Sequence, residues 1–234
     1  MSVDELVLVQ GMRDTRIALR RWNDHPWPVV RAWTAGAVAV ACMLLAGVLA
    51  VASIARPDPT GLYIAGISFP PGPMDVAGVL LRNSLVLALH ATACVAGFIA
   101  GSSLPLSASR RSGLSRWVHE RARPIALGWV VAVTCFSLLT QAYVLGSTGS
   151  TLAAQLGISP PLLVATVLPH ALPELVALFL PLAAWTIASR RDEWHELLAA
   201  TFVTTAIAMP VLVASATWEA YVWPHILKAA SPVV

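Results

Sequence analysis

The segment VVRAWTAGAVAVACMLLAGVLAVASIA, residues 29–55, decides the class of fold. It carries no charged residue after Arg31, and it is longer than the roughly 20 apolar residues that a helix needs to cross the hydrocarbon core of a bilayer. It is also too long, and begins too far from the N-terminus, to be a typical cleaved signal peptide. Residues 29–55 are therefore predicted to be a permanent transmembrane helix.

The whole chain has the composition of an integral membrane protein. Of its 234 residues, 57% are hydrophobic and only 12% are charged, whereas ordinary soluble domains have about 25% charged residues. The three cysteines, Cys42, Cys94 and Cys135, lie inside apolar runs and are odd in number, so no disulfide framework is predicted. The basic residues cluster beside apolar runs, which indicates contact with membrane lipid and not with nucleic acid.

Four further apolar runs complete the predicted fold. Residues 76–104, 124–146, 171–189 and 197–222 are each long enough to span the bilayer. The prolines and glycines of residues 56–75 exclude a regular helix there and predict a loop. The prediction is an all-α integral membrane helical bundle with about five transmembrane helices.

The region before the fourth span has a different pattern. Residues 147–159 are uncharged and rich in serine, threonine and glycine, which predicts a turn and a short apolar piece. Pro169 and Pro173 each remove a backbone donor from a helix, so they are predicted to break the apolar stretch that contains them. We therefore expect a short re-entrant or outer helix within residues 152–168, followed by a kinked fourth span.

The distribution of basic residues predicts the domain organisation and the orientation. Residues 1–28 are expected to form a cytoplasmic amphipathic N-terminal segment, and residues 29–234 a single transmembrane helical domain. Placing the N-terminus, residues 105–123 and residues 189–196 on one side gathers 12 of the 15 lysines and arginines. By the positive-inside rule the N-terminus is predicted to be cytoplasmic and the C-terminus to lie outside.

Five polar residues lie within or beside the predicted spans: Asn83, Gln141, His170, Glu174 and Glu219. An ionised group at the bilayer centre costs about 2.5–3.5 kcal/mol on insertion scales, so such a residue normally faces the interior of the bundle. His170 and Glu174 are four residues apart and share one face if the helix is continuous there. We expect an outward-facing polar cluster in which His170, Asn83 or Gln141 hydrogen-bonds to Glu174, with Glu219 at its mouth.

The residues leave the role of this cluster open. It is either structural hydrogen bonding between helices, or a proton path, ion path or small-substrate site. His170 and Glu174 supply only two metal ligands and lack the HExxH pattern of zinc hydrolases, so no metal and no cofactor are predicted, although a metal-dependent intramembrane hydrolase stays an alternative. The sequence has no P-loop, dinucleotide fingerprint or GxSxG motif, so no catalytic residue is assigned.

Three segments carry a family pattern: LRNSLVLAL at residues 81–89, VLPHALPELVALFL at 167–180 and ATWEAYVWPHIL at 216–227. In this order they resemble the stage II sporulation protein M family of bacterial multi-span membrane proteins. Asn83 takes the family's asparagine position, His170 and Glu174 take the histidine and glutamate of its signature, and Glu219 takes the glutamate of its last element. Ala171 departs from the pattern, because the family usually has glycine there.

The resemblance implies a non-enzymatic membrane subunit that scaffolds or assists a cell-envelope complex. The partner that it implies is a cell-wall hydrolase or, for an accessory export or immunity protein, a transport ATPase. The alternative, from the residues themselves, is a transporter or channel component in which His170 and Glu174 form an intramembrane proton or ion site. Self-association is left open.

Overall fold

The structure is a computed structural model, and it describes residues 7–103 and 113–233. Within these residues the chain is helical, and an isolated bridge between Ala65 and Phe69 is the only β-type pairing. A π-helical turn, Ile99–Ser103, follows the third helix, and a 3₁₀ turn, Trp194–Glu196, precedes the sixth. The helices are α1 (Val7–Asp24), α2 (Pro26–Ile54), α3 (Pro73–Phe98), α4 (Gly113–Gln155), α5 (Pro160–Arg191), α6 (Leu197–Tyr221) and α7 (Trp223–Ala230).

Five helical segments are long and apolar enough to cross a membrane. Each has at least 28 residues, more than the roughly 20 that a bilayer requires. The predicted all-α membrane bundle with five spans is therefore confirmed. The segments are Pro26–Ile54, Pro73–Ser102, Leu127–Gln155, Pro160–Arg191 and Trp194–Tyr221.

The predicted organisation before the fourth span is wrong. Residues 147–155 belong to α4, and α5 runs without interruption from Pro160 to Arg191 through Pro169 and Pro173. There is no separate re-entrant or outer helix in residues 152–168 and no helix break at the two prolines. A proline removes one backbone donor, whereas a break in lipid would leave several backbone groups without partners, each at a cost of several kcal/mol.

The short turn between α4 and α5, residues 156–159, depends on a glycine and on a serine. Gly157 has φ of +65°, a left-handed conformation that glycine adopts without steric cost. The Leu162 N–H donates to Ser159 Oγ over 3.4 Å, which satisfies a free donor in the first turn of α5. Pro160 and Pro161 lie in that same turn, where a missing N–H costs nothing.

The two ends of the chain differ in detail from the prediction. α1 lies within the expected N-terminal segment, residues 1–28, and is separated from α2 only at His25. The chain continues past the fifth span into α7, a short helix that begins directly after Val222. Residues 1–6 of the N-terminal segment and residues 104–112, which include part of the basic stretch 105–123, lie outside the described residues.

The chain divides into two compact units, and helices α2 to α6 each contribute residues to both. Unit 1 comprises the described parts of Met1–Ala37, Leu87–Thr134 and Leu178–Ile207. Unit 2 comprises Val38–Val86, Cys135–Ala177 and the described part of Ala208–Val234.

In unit 1, α1 is fixed to the other helices by close packing and by one ion pair. A Cβ atom on Gly11 would lie 3.0 Å from Phe98 Cζ, so α1 approaches α3 closely at this point. Arg21 donates a hydrogen bond to the buried Glu196 carboxylate. α1 is thereby joined to the 3₁₀ turn that precedes α6.

In unit 2, a small apolar core organises the ends of α4, α5 and α7. Leu62, Ile64 and Ile67 of the connection between α2 and α3 pack against this core. We call residues 55–72 the α2–α3 loop. The buried residues of the core are Leu152, Ala153, Leu156, Leu163 and Leu227.

Candidate functional site

Unit 2 contains a cavity that three ionisable side chains share. Continuous α5 places His170 and Glu174 one turn apart on the same face, and Glu219 of α6 joins them in the lining. The cavity has a volume of about 290 Å³. Its remaining walls are mostly apolar side chains of α2, α4 and α5, among them Leu44, Val48, Leu145, Leu163 and Val167.

The His170 ring is held by aromatic packing and has a nitrogen without a partner. The side chain is only 5% exposed, and its ring centroid lies 5.7 Å from that of Trp223 at an interplanar angle of 56°. Trp223 Nε1 donates to Thr166 Oγ1 over 3.3 Å, which orients the indole. Within the described residues, His170 Nδ1 has no hydrogen-bond partner, so one buried ring nitrogen is left without a partner.

The Glu174 carboxyl lies among two charges and an amide. It is next to the Asn83 side chain and within electrostatic range of Glu219 and Arg82. Buried Glu174 Oε2 and Asn83 Nδ2 nevertheless form no hydrogen bond of ordinary geometry in the described part of the chain. Two neighbouring carboxylates repel each other when both are ionised, so a proton or a cation between them would be favourable.

Gln141 has a different environment from the other four predicted residues. Its Nε2 donates to Ser137 Oγ over 3.0 Å, one turn earlier on α4, and it is not part of the cavity lining. The structure therefore brings His170, Glu174 and Glu219 together around the cavity and places Asn83 beside Glu174. Gln141 forms a hydrogen bond within its own helix instead.

The comparison with protein families covers the segment that holds these residues. Residues 121–224 match the family model of stage II sporulation protein M. The family indicated by the sequence motifs is therefore confirmed for this segment, which includes His170, Glu174, Glu219 and Pro224. No curated protein and no solved structure matches the chain.

Asn83 and its neighbour Arg82 lie outside the segment that matches the stage II sporulation protein M model. Arg82 is exposed, yet its charge acts on both Glu174 and Glu219. Arg82 is not among the five residues that the sequence predicts for the site. An arginine inside an apolar run next to Asn83 was a usable signal, because arginines in spans normally pair with an acidic group.

The donor set does not form a metal site. Within residues 7–103 and 113–233, no three histidine, cysteine, aspartate or glutamate side chains are arranged so that they could hold a metal ion. What the cavity offers chemically is a buried histidine nitrogen and two carboxyls near one guanidinium. Such a set can bind and release protons or take up a small cation.

Proposed function

We propose that this protein is a non-enzymatic membrane subunit that assists a bacterial cell-envelope complex of the cell-wall remodelling type. In this proposal it lies in the plasma membrane with its N-terminus in the cytoplasm and its C-terminus outside, as the clustering of lysine and arginine supports. The α2–α3 loop then faces the cell wall. A cell-wall hydrolase, the partner that the family resemblance implies, contacts that loop.

The observation that carries the proposal is the fixed conformation of the α2–α3 loop. Gln155 at the end of α4 donates from Nε2 to the Leu62 carbonyl over 3.0 Å, and its Oε1 accepts from the Leu62 N–H over 2.9 Å. Ser150 Oγ donates to the Ala55 carbonyl over 2.8 Å, and Asp58 N–H donates to Thr151 Oγ1 over 3.0 Å. The loop is thus attached to α4 at both its beginning and its middle.

This fixed loop carries an exposed aromatic side chain. Tyr63, directly after the anchored Leu62, is 87% exposed. Tyrosine is enriched in protein interfaces, and a loop that is already ordered loses little conformational entropy when a partner binds. An exposed tyrosine on an anchored loop is therefore well suited to docking a protein partner.

The test is photo-crosslinking from defined positions in native membranes. A photoreactive phenylalanine analogue replaces Tyr63 in one variant and Tyr143 in a control variant. Tyr143 is 66% exposed but lies within the span Leu127–Gln155, so it should contact lipid. We expect a cell-wall hydrolase to be crosslinked from position 63 and not from position 143. The same products from both positions, or only lipid from position 63, would contradict the proposal.

The cavity favours a second candidate, a transporter or channel component with an intramembrane proton or ion site. Its support is that His170 Nδ1 and Glu174 Oε2 have no hydrogen-bond partner among the described residues and that both residues line one cavity. Polar groups in lipid that have no structural partner are functional candidates. Glu219 adds a second carboxyl at the same place.

Reconstitution into liposomes that contain a pH-sensitive dye separates this candidate from the first. If the cavity conducts protons, the wild-type protein should give flux, and Glu174→Gln should abolish it. Gln141→Leu is the matched control, because it also removes an intramembrane polar group but leaves the cavity lining unchanged. Wild-type flux no greater than that of empty liposomes would eliminate proton conduction by the protein alone.

A further inference from the structure

Unit 1 contains a groove between α1 and the ends of α3 and α6. Its volume is about 1050 Å³, just above the roughly 300–1,000 Å³ typical of small-molecule sites. One wall is formed by Met12 and Leu19 of α1. The opposite wall consists of Phe98, Ile99 and Leu198, so most of the groove surface is apolar.

The polar side chains of the groove lie along α1. Arg16 and Arg20 are four residues apart and therefore project from the same face of the helix, and both line the groove. Asn23 and Asp24 follow in the next turn and also line it. The two guanidiniums exceed the one carboxylate, which leaves a net positive charge of one beside an apolar channel.

The position of the groove along the chain indicates the level of lipid head groups. Ile99 is close to the end of the span Pro73–Ser102, and Leu198 is close to the beginning of the span Trp194–Tyr221. The ends of spanning helices lie where acyl chains meet head groups. A ligand at this level has an apolar part directed along the spans and a polar part next to α1.

We propose that this groove binds one anionic phospholipid of the phosphatidylglycerol type. Arg16 and Arg20 receive the phosphate through charge-assisted hydrogen bonds, Asn23 offers its amide to the hydroxyl groups of the head group, and the acyl chain lies against Phe98, Ile99 and Leu198. A head group with one negative charge matches the net charge of the groove. Binding of this lipid does not require the function proposed above.

The test uses the purified full-length protein in detergent. After delipidation it is incubated with phosphatidylglycerol or with phosphatidylcholine of the same acyl chains, and the bound lipid is measured by native mass spectrometry. The variant is Arg16→Gln/Arg20→Gln, and the matched control is Arg13→Gln. Arg13 is an exposed arginine of the same helix that does not line the groove. Circular dichroism of each variant shows whether the helices have formed.

We expect one phosphatidylglycerol per wild-type chain and weak retention of phosphatidylcholine. An arginine near a lipid surface contributes about 1 kcal/mol, or about 5-fold in affinity, so the double variant should bind roughly 25-fold more weakly. Arg13→Gln should bind like the wild type. Equal loss in both variants, or equal retention of the two lipids, would overturn the proposal, since either result indicates nonspecific annular lipid.

A second variant tests the apolar wall without changing any charge. Val95 lines the groove and is 36% exposed, so Val95→Trp should fill the space that the acyl chain occupies. We expect this variant to lose the retained phosphatidylglycerol while Arg16 and Arg20 remain in place. Unchanged binding would show that the lipid is held outside the groove, and a lipid-free dimer of the wild type would show that a second copy fills it.

Discussion

Replacing Gly146 by alanine tests the packing that forms one wall of the cavity. Gly146 lies on α4, opposite α2 within unit 2. A Cβ atom there would lie 2.5 Å from Val51 Cβ and 2.8 Å from the Val48 carbonyl oxygen, whereas ordinary contacts are 3.4–4 Å. The carbonyl belongs to the helix backbone and cannot rotate away. The two helices would have to separate locally to accommodate even one methyl group.

The expected loss of stability follows from two opposing effects. Overpacking of a well-packed interface costs about 1–3 kcal/mol, and replacing glycine by alanine in a helix gains about 1 kcal/mol in helix propensity. Gly128 provides the matched control, because it lies on the same helix and a Cβ atom there would have no neighbour within 4 Å. Gly128→Ala therefore has only the propensity effect, and Gly146→Ala should be less stable than it by about 1–3 kcal/mol.

The free energy of unfolding can be measured in mixed micelles by titration with sodium dodecyl sulfate, followed by tryptophan fluorescence. A double variant, Gly146→Ala/Val51→Ala, should recover only a small part of the loss, because it removes the Val51 Cγ1 atom, 2.7 Å from the added Cβ, but leaves the contacts with Val51 Cβ and the Val48 carbonyl. If Gly146→Ala is as stable as Gly128→Ala, then α2 and α4 do not pack as closely as the structure shows, and the wall of the cavity is looser than these distances imply.

Two further predictions concern the α2–α3 loop. Gly66 has φ of +82°, and a Cβ atom there would overlap the Pro224 ring, so Gly66→Ala should destabilise the loop by at least about 1 kcal/mol and increase hydrogen exchange. Gly61→Ala, with open space around it, should not. The Thr60 N–H donates to Asp58 Oδ1 over 2.8 Å and lowers the pKa of Asp58 below its ordinary value of 3.8. This stabilisation is present above about pH 3.8 and is lost as the pH falls further, so limited proteolysis of the loop should increase towards pH 3 in the wild type, and this pH dependence should be absent from Asp58→Asn.

The five spans could be predicted from the sequence because the hydrocarbon core of the bilayer requires nearly every residue of a span to be apolar. Residues 29–55 meet this requirement by their composition alone, so the span can be recognised without knowing which other helices pack against it. The uninterrupted course of α5 from Pro160 to Arg191 could not be predicted in the same way. Pro169 and Pro173 disfavour a helix locally, but the cost of unpaired backbone groups in lipid favours its continuation, and this second effect exceeds the first.

The candidate site was only partly predictable for a related reason. Hydropathy gives the depth of a residue in the membrane but not the direction in which it points around the helix axis. Glu174 and Glu219 line one cavity, whereas Gln141, which also lies within a predicted span, bonds to Ser137 of its own helix. Arg82 is not among the five predicted residues, although its charge acts on both carboxyls.

Several hydroxyl groups in the spans have a simple structural explanation. Ser53, Thr186 and Thr204 each donate a hydrogen bond to the carbonyl four residues earlier in the same helix. The hydroxyl groups of these side chains therefore have a hydrogen-bond partner within their own helix. Such a bond needs no other helix and implies no site. The side chains that require another explanation are those whose buried polar atoms find no partner of this kind.

Such atoms occur in both units, and packing distinguishes them. In unit 1, neither ring nitrogen of His90 forms a hydrogen bond of ordinary geometry with any residue that the structure describes. The ring packs against Phe179 with centroids 5.3 Å apart, and the side chain is 1% exposed. A ligand could reach it only by displacing that packing. In unit 2, His170 Nδ1 and Glu174 Oε2 have no partner among the described residues, and both residues line one cavity with Glu219. Burial and missing partners are common to both histidines, and the adjacent space is what makes His170 the stronger functional candidate.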